Sequence, residues 1–178
     1  QDAPTIVKRR FVEVYPFQKL FEVYVIDGRD HDSAQSQDLC DVLESSLADY
    51  DVVIVADYGH GMLGPEAVEI LCDRSRFLAI NTQVNADNRG FNTISRYRRA
   101  DYICVSESEL RLEARRRRGN LNDIARTVAE KLNCGRMLIT RGERGSTCYS
   151  KEDGSCDIPA FASAVNEALQ NAAEPADA

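Results

Sequence analysis

The chain has 178 residues, 43% of them hydrophobic and 29% charged, which is enough apolar material for a packed core and too much for bulk disorder. Its 22 Lys and Arg against 29 Asp and Glu give a formal charge of −7, and a dedicated nucleic-acid binder would need a net basic surface instead. No apolar run reaches about 18 residues, so no membrane span is expected, and no basic-then-apolar signal stretch opens the sequence.

Residues 5–15, TIVKRRFVEVY, are rich in β-branched and aromatic side chains and read as a strand. Lys8 and Arg10 break its apolar parity and put one end near solvent or an anion. A second strand follows at 20–26, with Pro16 marking the turn, and 28–37 read as a polar loop. Leu39, Val42, Leu43 and Leu47 form one apolar stripe and predict a helix over 38–48. VVIVA at 52–56 is a short continuous apolar run, the pattern of a strand covered on both faces. Pro65 suits the first position of a helix whose inner face holds Val68 and Leu71. FLAI at 77–80, YICV at 102–105 and MLIT at 137–140 repeat the strand pattern. Ser106 and Glu107 open a helix, and Asn120 or Asn122 caps another with Ile124, Val128 and Leu132 inward. A hairpin over 145–150 and 156–158 turns at Asp153-Gly154, and the alanine-rich, acidic residues 166–178 read as a frayed terminal helix.

Strands alternating with amphipathic helices predict an α/β fold, a three-layer sandwich around a mostly parallel sheet. Six scattered cysteines without a CxxC read as reduced thiols of a cytoplasmic protein, and no pair has metal-ligand spacing with His31 or His60.

Ligands of such sheets bind beyond the carboxyl ends of the strands. Four polar clusters fall there: Asp57-Tyr58-Gly59, Asn81-Thr82-Gln83, Ser106 to Glu109, and Thr140-Arg141-Gly142. Neither GxGxxG after a strand nor GxxxxGKS nor GxSxG is present. Glu107 and Glu109 have two readings: carboxylates for a hydrated magnesium ion, or helix N-terminal acids favoured by the dipole. TRGERG, residues 140–145, is either a phosphate-holding turn or a strand connection that needs glycine dihedrals. Arg115 to Arg118 are a solvated helix end or an anion site.

At these clusters the sequence resembles the ribokinase-like (PfkB-type) carbohydrate kinases, and within them the heptose-7-phosphate kinase-like domain. PTIVKRRFV is similar to the family strand that carries a Thr and a Lys, VVIVADYGHGML to its DYxKG segment, ADYICVSESEL to its NxxE segment, and LITRGERG to its TxGxxG turn. His60 stands where a lysine is usual and Ser106 where an asparagine is usual. The likeness covers Pro4 to Phe161. It implies a partial domain over 1–165, the middle of such a kinase, with 166–178 either a C-terminal tail or a segment after an unseen gap.

The resemblance also implies ATP and Mg²⁺ as cofactors and a sugar or sugar phosphate as substrate. Thr140, Gly142, Gly145, Ser106 and Glu109 would hold nucleotide, with Glu109 organising the metal. Asp57, Lys8 and Arg10 would meet the substrate. PAF is not followed by the family's GAGD, so no catalytic residue is assigned. The alternative is a non-catalytic nucleotide- or sugar-phosphate-binding module, or a partner subunit; a structural protein that binds nothing small is a third reading. Neither nucleic acid nor membrane is an expected partner, and the strands of 5–26 leave room for a homodimer.

Overall fold

β-branched and aromatic residues at the start of the chain form two long antiparallel strands, β1 (Val7–Val14) and β2 (Phe17–Val25), in a two-stranded ribbon. A bulge between Phe11 and Val12 shifts the register, and the Phe11 and Phe21 rings stack with centroids 4.4 Å apart. The structure, a computed structural model, describes residues 6–15, 17–25, 33–84 and 88–161. It divides into two compact units, residues 1–32 and residues 33–178. Thr5, Pro16, residues 28–32 of the expected loop and the expected helix at 166–178 lie outside the described residues.

The second unit is built on a six-stranded sheet: β3 (Val53–Asp57), β4 (Leu78–Thr82), β5 (Tyr102–Ser106), β6 (Arg136–Thr140), β7 (Ser146–Ser150) and β8 (Gly154–Ile158). The strands lie in chain order; β3 to β6 are parallel, and β7 and β8 add antiparallel. This is the α/β sandwich expected, with helices flanking a mixed sheet. The helices are α1 (Ser33–Ser46), α2 (Pro65–Arg74), α3 (Glu107–Glu113) and α4 (Leu121–Lys131). Pro65 occupies the first turn of α2, where its missing N–H costs no intrahelical bond. Asn120 caps α4 by accepting the Asn122 N–H at 2.8 Å.

One face of the sheet is the core face. Val55, Leu78, Ile80, Ile103, Val105, Met137 and Ile139 bury against Val68 and Leu71 of α2, Leu110 of α3, and Ile124 and Val128 of α4. The alternate residues of the same strands are only partly covered among the described residues. Ile54 is 77% exposed, so VVIVA is not covered on both faces as the apolar run predicts. An unbroken apolar run shows that a strand avoids water in some context; it does not tell which face is packed here. Helix α1 begins at Ser33, inside the stretch read as loop, because its first turns are polar and carry no apolar period.

Candidate functional site

The carboxyl ends of the parallel strands are level: Asp57 pairs with Thr82, and Ser106 with Thr140. An open cleft of about 1070 Å³ lies at these ends and over the start of α3. Asn81, Gln83, Ser106, Ser108, Glu109 and Thr140 line it, and Arg89, Arg111, Arg115, Arg116 and Arg117 stand on its wall. The structure thus brings Ser106, Glu109 and Thr140 together. Asp57, Gly142 and Gly145 do not line this cleft. Lys8 and Arg10 belong to the N-terminal ribbon, where both pair with Glu22, at 3.4 and 2.5 Å.

The turn from β5 into α3 is a reciprocal cap. The Ser106 hydroxyl accepts the Glu109 N–H at 3.2 Å, and Glu109 Oε2 accepts the Ser106 N–H at 2.8 Å. Glu109 Oε1 accepts the Val84 N–H at 2.9 Å, so one carboxylate ties the end of β4 to the start of α3. Glu109 is the sole carboxylate on the cleft wall among the described residues. No cluster of three or more His, Cys, Asp or Glu exists among them. Magnesium keeps several waters and takes one or two protein carboxylates, and Oε1 with a single donor retains a lone pair. Glu109 therefore fits a hydrated ion reached through water.

Glu107 points elsewhere. It accepts from Arg111 at 2.9 Å, Arg144 at 2.7 Å and Arg141 at 3.4 Å. Burial pushes its carboxyl up, but the Arg111 hydrogen bond and the charges of Arg144 and Arg111 outweigh it, and the net shift is downward. The 140–145 turn is anchored through these arginines. Arg141 also reaches Asp157 and Thr147, both at 3.3 Å. Gly142, at φ +59°, faces open space, whereas a Cβ on Gly145 would lie 2.0 Å from the Ile158 carbonyl oxygen. Gly145 therefore lacks a side chain because the end of β8 passes over it.

Asp57 is 5% exposed and fully engaged. Its carboxylate accepts from Arg96 and from the Tyr97 hydroxyl, both at 2.9 Å, and from the Gly59 N–H at 2.8 Å. Burial first, then the Asp57 charge, raises the Tyr97 phenol far above its ordinary value, so it is a proton donor at every physiological pH. Buried Asn92 donates to the Asp57 carbonyl at 3.0 Å and to that of Gln83 at 3.3 Å.

The chain is 31% identical over 168 residues to the bifunctional protein HldE of Shewanella piezotolerans, and 33% identical over 168 residues to that of Pseudomonas aeruginosa. These matches take in 93% and 91% of this chain, and 33% of each relative, so the chain spans about a third of their length. No protein-family model matches. Escherichia coli phosphofructokinase-2 in complex with fructose-6-phosphate superposes with TM-score 0.62 at 8% identity, over 85% of this chain and 50% of that one. Thermotoga maritima ribokinase gives 0.57 at 14% identity, over 86% and 48%. The chain is a ribokinase-like domain related to the HldE proteins.

The loop between β4 and β5 of this ribokinase-like domain was not legible as part of a site. It supplies Arg89 to the cleft wall and Asn92, Arg96 and Tyr97 to Asp57. Its one sequence signal is Asn88-Arg89-Gly90, a turn, with Gly90 at φ +90°.

Proposed function

We infer that this ribokinase-like domain serves an ATP-dependent sugar or sugar-phosphate kinase. The observation that carries the reading is the cleft: strand-end Ser106, Glu109 and Thr140 share it with five arginines in a chain of net charge −7. Arg89, Arg115, Arg116 and Arg117 have no carboxylate partner among the described residues, so the wall offers unneutralised guanidinium groups to phosphate oxygens. The N–H groups of Arg141, Arg144 and Gly145 are used within the 140–145 turn, which leaves the Thr140 hydroxyl and the Gly142 and Glu143 N–H groups for a nucleotide phosphate. Magnesium, when bound, neutralises phosphate charge; Glu109 would hold its hydration shell. Asp57 would act on the substrate side by fixing the loop that bears Arg89, without touching the sugar.

One observation favours the second reading, a non-catalytic nucleotide- or sugar-phosphate-binding module. Among the described residues no carboxylate on the cleft wall is placed as a free base, since Glu109 is held by Val84 and Ser106. On the N-terminal ribbon, Phe11, Leu20 and Phe21 are exposed, which supports pairing of two chains through it.

The test is calorimetric titration of the folded chain with Mg-ATP, repeated on a variant with Arg115, Arg116 and Arg117 changed to Ser. The expected result is saturable binding that weakens at least about tenfold in the variant, or 1.4 kcal/mol. No binding heat, or equal affinity in the two proteins, would remove the cleft from the nucleotide site. ADP release in the presence of a sugar phosphate then separates the kinase from the binding module.

A further inference from the structure

The outer hairpin of the sheet carries two thiols that the cleft does not use. Cys148 of β7 and Cys156 of β8 are direct partners in the antiparallel register. Their side chains leave the same face of the ribbon, opposite to buried Thr147 and Tyr149. Cys148 is half-buried, Cys156 is exposed, and both are free. Facing residues of an antiparallel pair have Cα atoms about 4.5–5.5 Å apart, inside the roughly 4.4–6.8 Å that a disulfide spans. The backbone therefore sets the two Cα atoms at a separation that a disulfide spans, and side-chain rotation would bring the thiols together.

Register also excludes the other partners. The same row runs inward from Cys148 through Leu138 to Cys104, which is two strands away. Two strand spacings are about 9–10 Å, beyond disulfide reach. Cys40, Cys72 and Cys134 are buried. The consequence of a bond is local and directional. β8 is the edge strand, exposed at all five residues, and its continuation at Ile158–Ala160 lies against Gly145. A link between Cys148 and Cys156 staples that edge to the sheet beside the 140–145 turn.

We propose that Cys148 and Cys156 are a reversible redox site that forms a cross-strand disulfide by exchange with a small-molecule disulfide such as oxidised glutathione. The Cys156 thiolate attacks one sulfur of the oxidant, giving a mixed disulfide and releasing one thiolate. The Cys148 thiolate then attacks Cys156 Sγ, the mixed disulfide breaks, and the second small thiolate leaves. The two protein thiol protons end on the two released thiols, so the protein is oxidised by two electrons and the small disulfide is reduced by two.

The test equilibrates the folded chain in mixtures of reduced and oxidised glutathione, traps free thiols by alkylation, and maps tryptic peptides without reduction. Trypsin cuts at Lys151, between the two cysteines, so the bond joins two otherwise separate peptides. The expected product is that linked pair, within one chain, lost again on adding reductant. Cys148→Ser is expected to accumulate a glutathione adduct on Cys156 that the unaltered chain does not retain. A lasting adduct on Cys156 of the unaltered chain would overturn the proposal. So would a link to Cys104, a link between chains, or alkylation of both thiols in every mixture.

Discussion

Asp57 shows what one carboxylate requires once it is buried at a strand end. Arg96 supplies the counter-charge, and the Tyr97 hydroxyl and Gly59 N–H supply neutral donors. Removing the only cation from a buried charge costs about 3–5 kcal/mol, whereas removing a neutral donor costs about 1–3 kcal/mol. Arg96→Ala is therefore expected to destabilise the fold more than Tyr97→Phe, as read from urea midpoints; the reverse order would mean that Asp57 is compensated by other groups. The glycines of the 140–145 turn give a second contrast. Gly142→Ala meets open space and carries only the left-handed backbone penalty, about 1–2 kcal/mol. Gly145→Ala, at φ +81° and ψ −130°, falls outside the left-handed helical well in a region that essentially only glycine adopts, and it also places its Cβ 2.0 Å from a backbone oxygen that cannot rotate away. Amide exchange over residues 154–158 is expected to rise sharply in Gly145→Ala and little in Gly142→Ala. Equal protection in the two variants would show that β8 does not rest on Gly145.

At the scale of the element, the start of α3 separates two acids that look alike in the sequence. Glu107 and Glu109 are two positions apart, which turns them by about 200° around the helix. One meets Arg111, Arg141 and Arg144; the other closes the cap with Ser106 and faces the cleft. Glu107 has a folded-state pKa below its ordinary value, so its contribution to stability is fully present above the unfolded value and is lost as pH falls through the folded one. The acid side of the urea-stability profile is expected to fall less steeply in Glu107→Gln, as pH drops below the ordinary glutamate range. An unchanged slope would show that the three arginines gain nothing from the charge. The strands and helix starts around this site were legible because apolar runs, Pro65 and the Ser106 cap leave local marks. The opening turns of α1 were not, because polar helix has no period. The roles of Asn92, Arg96 and Tyr97 were not legible either, since they are set by a carboxylate 35 to 40 positions away and leave no trace in local pattern.

For the molecule as a whole, the charge distribution decides more than the charge. A net −7 repels anions at long range, while five arginines concentrate on one cleft wall. Beyond a Debye length of about 8 Å at physiological salt the repulsion is screened, and the local guanidinium groups act on whatever enters. A phosphorylated sugar is therefore expected to bind where the unphosphorylated sugar does not. A ligand bound only by the folded state at a hundred times its Kd adds about 2.7 kcal/mol. For a chain of this size each kcal/mol raises the Tm by about 2–4 °C, so the shift is readable by thermal melting. Fructose-6-phosphate is the chosen probe, because it differs from the control, fructose, by a single phosphate ester. The melting temperature is expected to rise with the phosphate ester, to stay unchanged with fructose, and to lose most of its shift in about 1 M salt, where the Debye length is about 3 Å. An equal shift with fructose would place recognition on the hydroxyls. A shift that survives high salt would show that the arginine wall does not carry the binding.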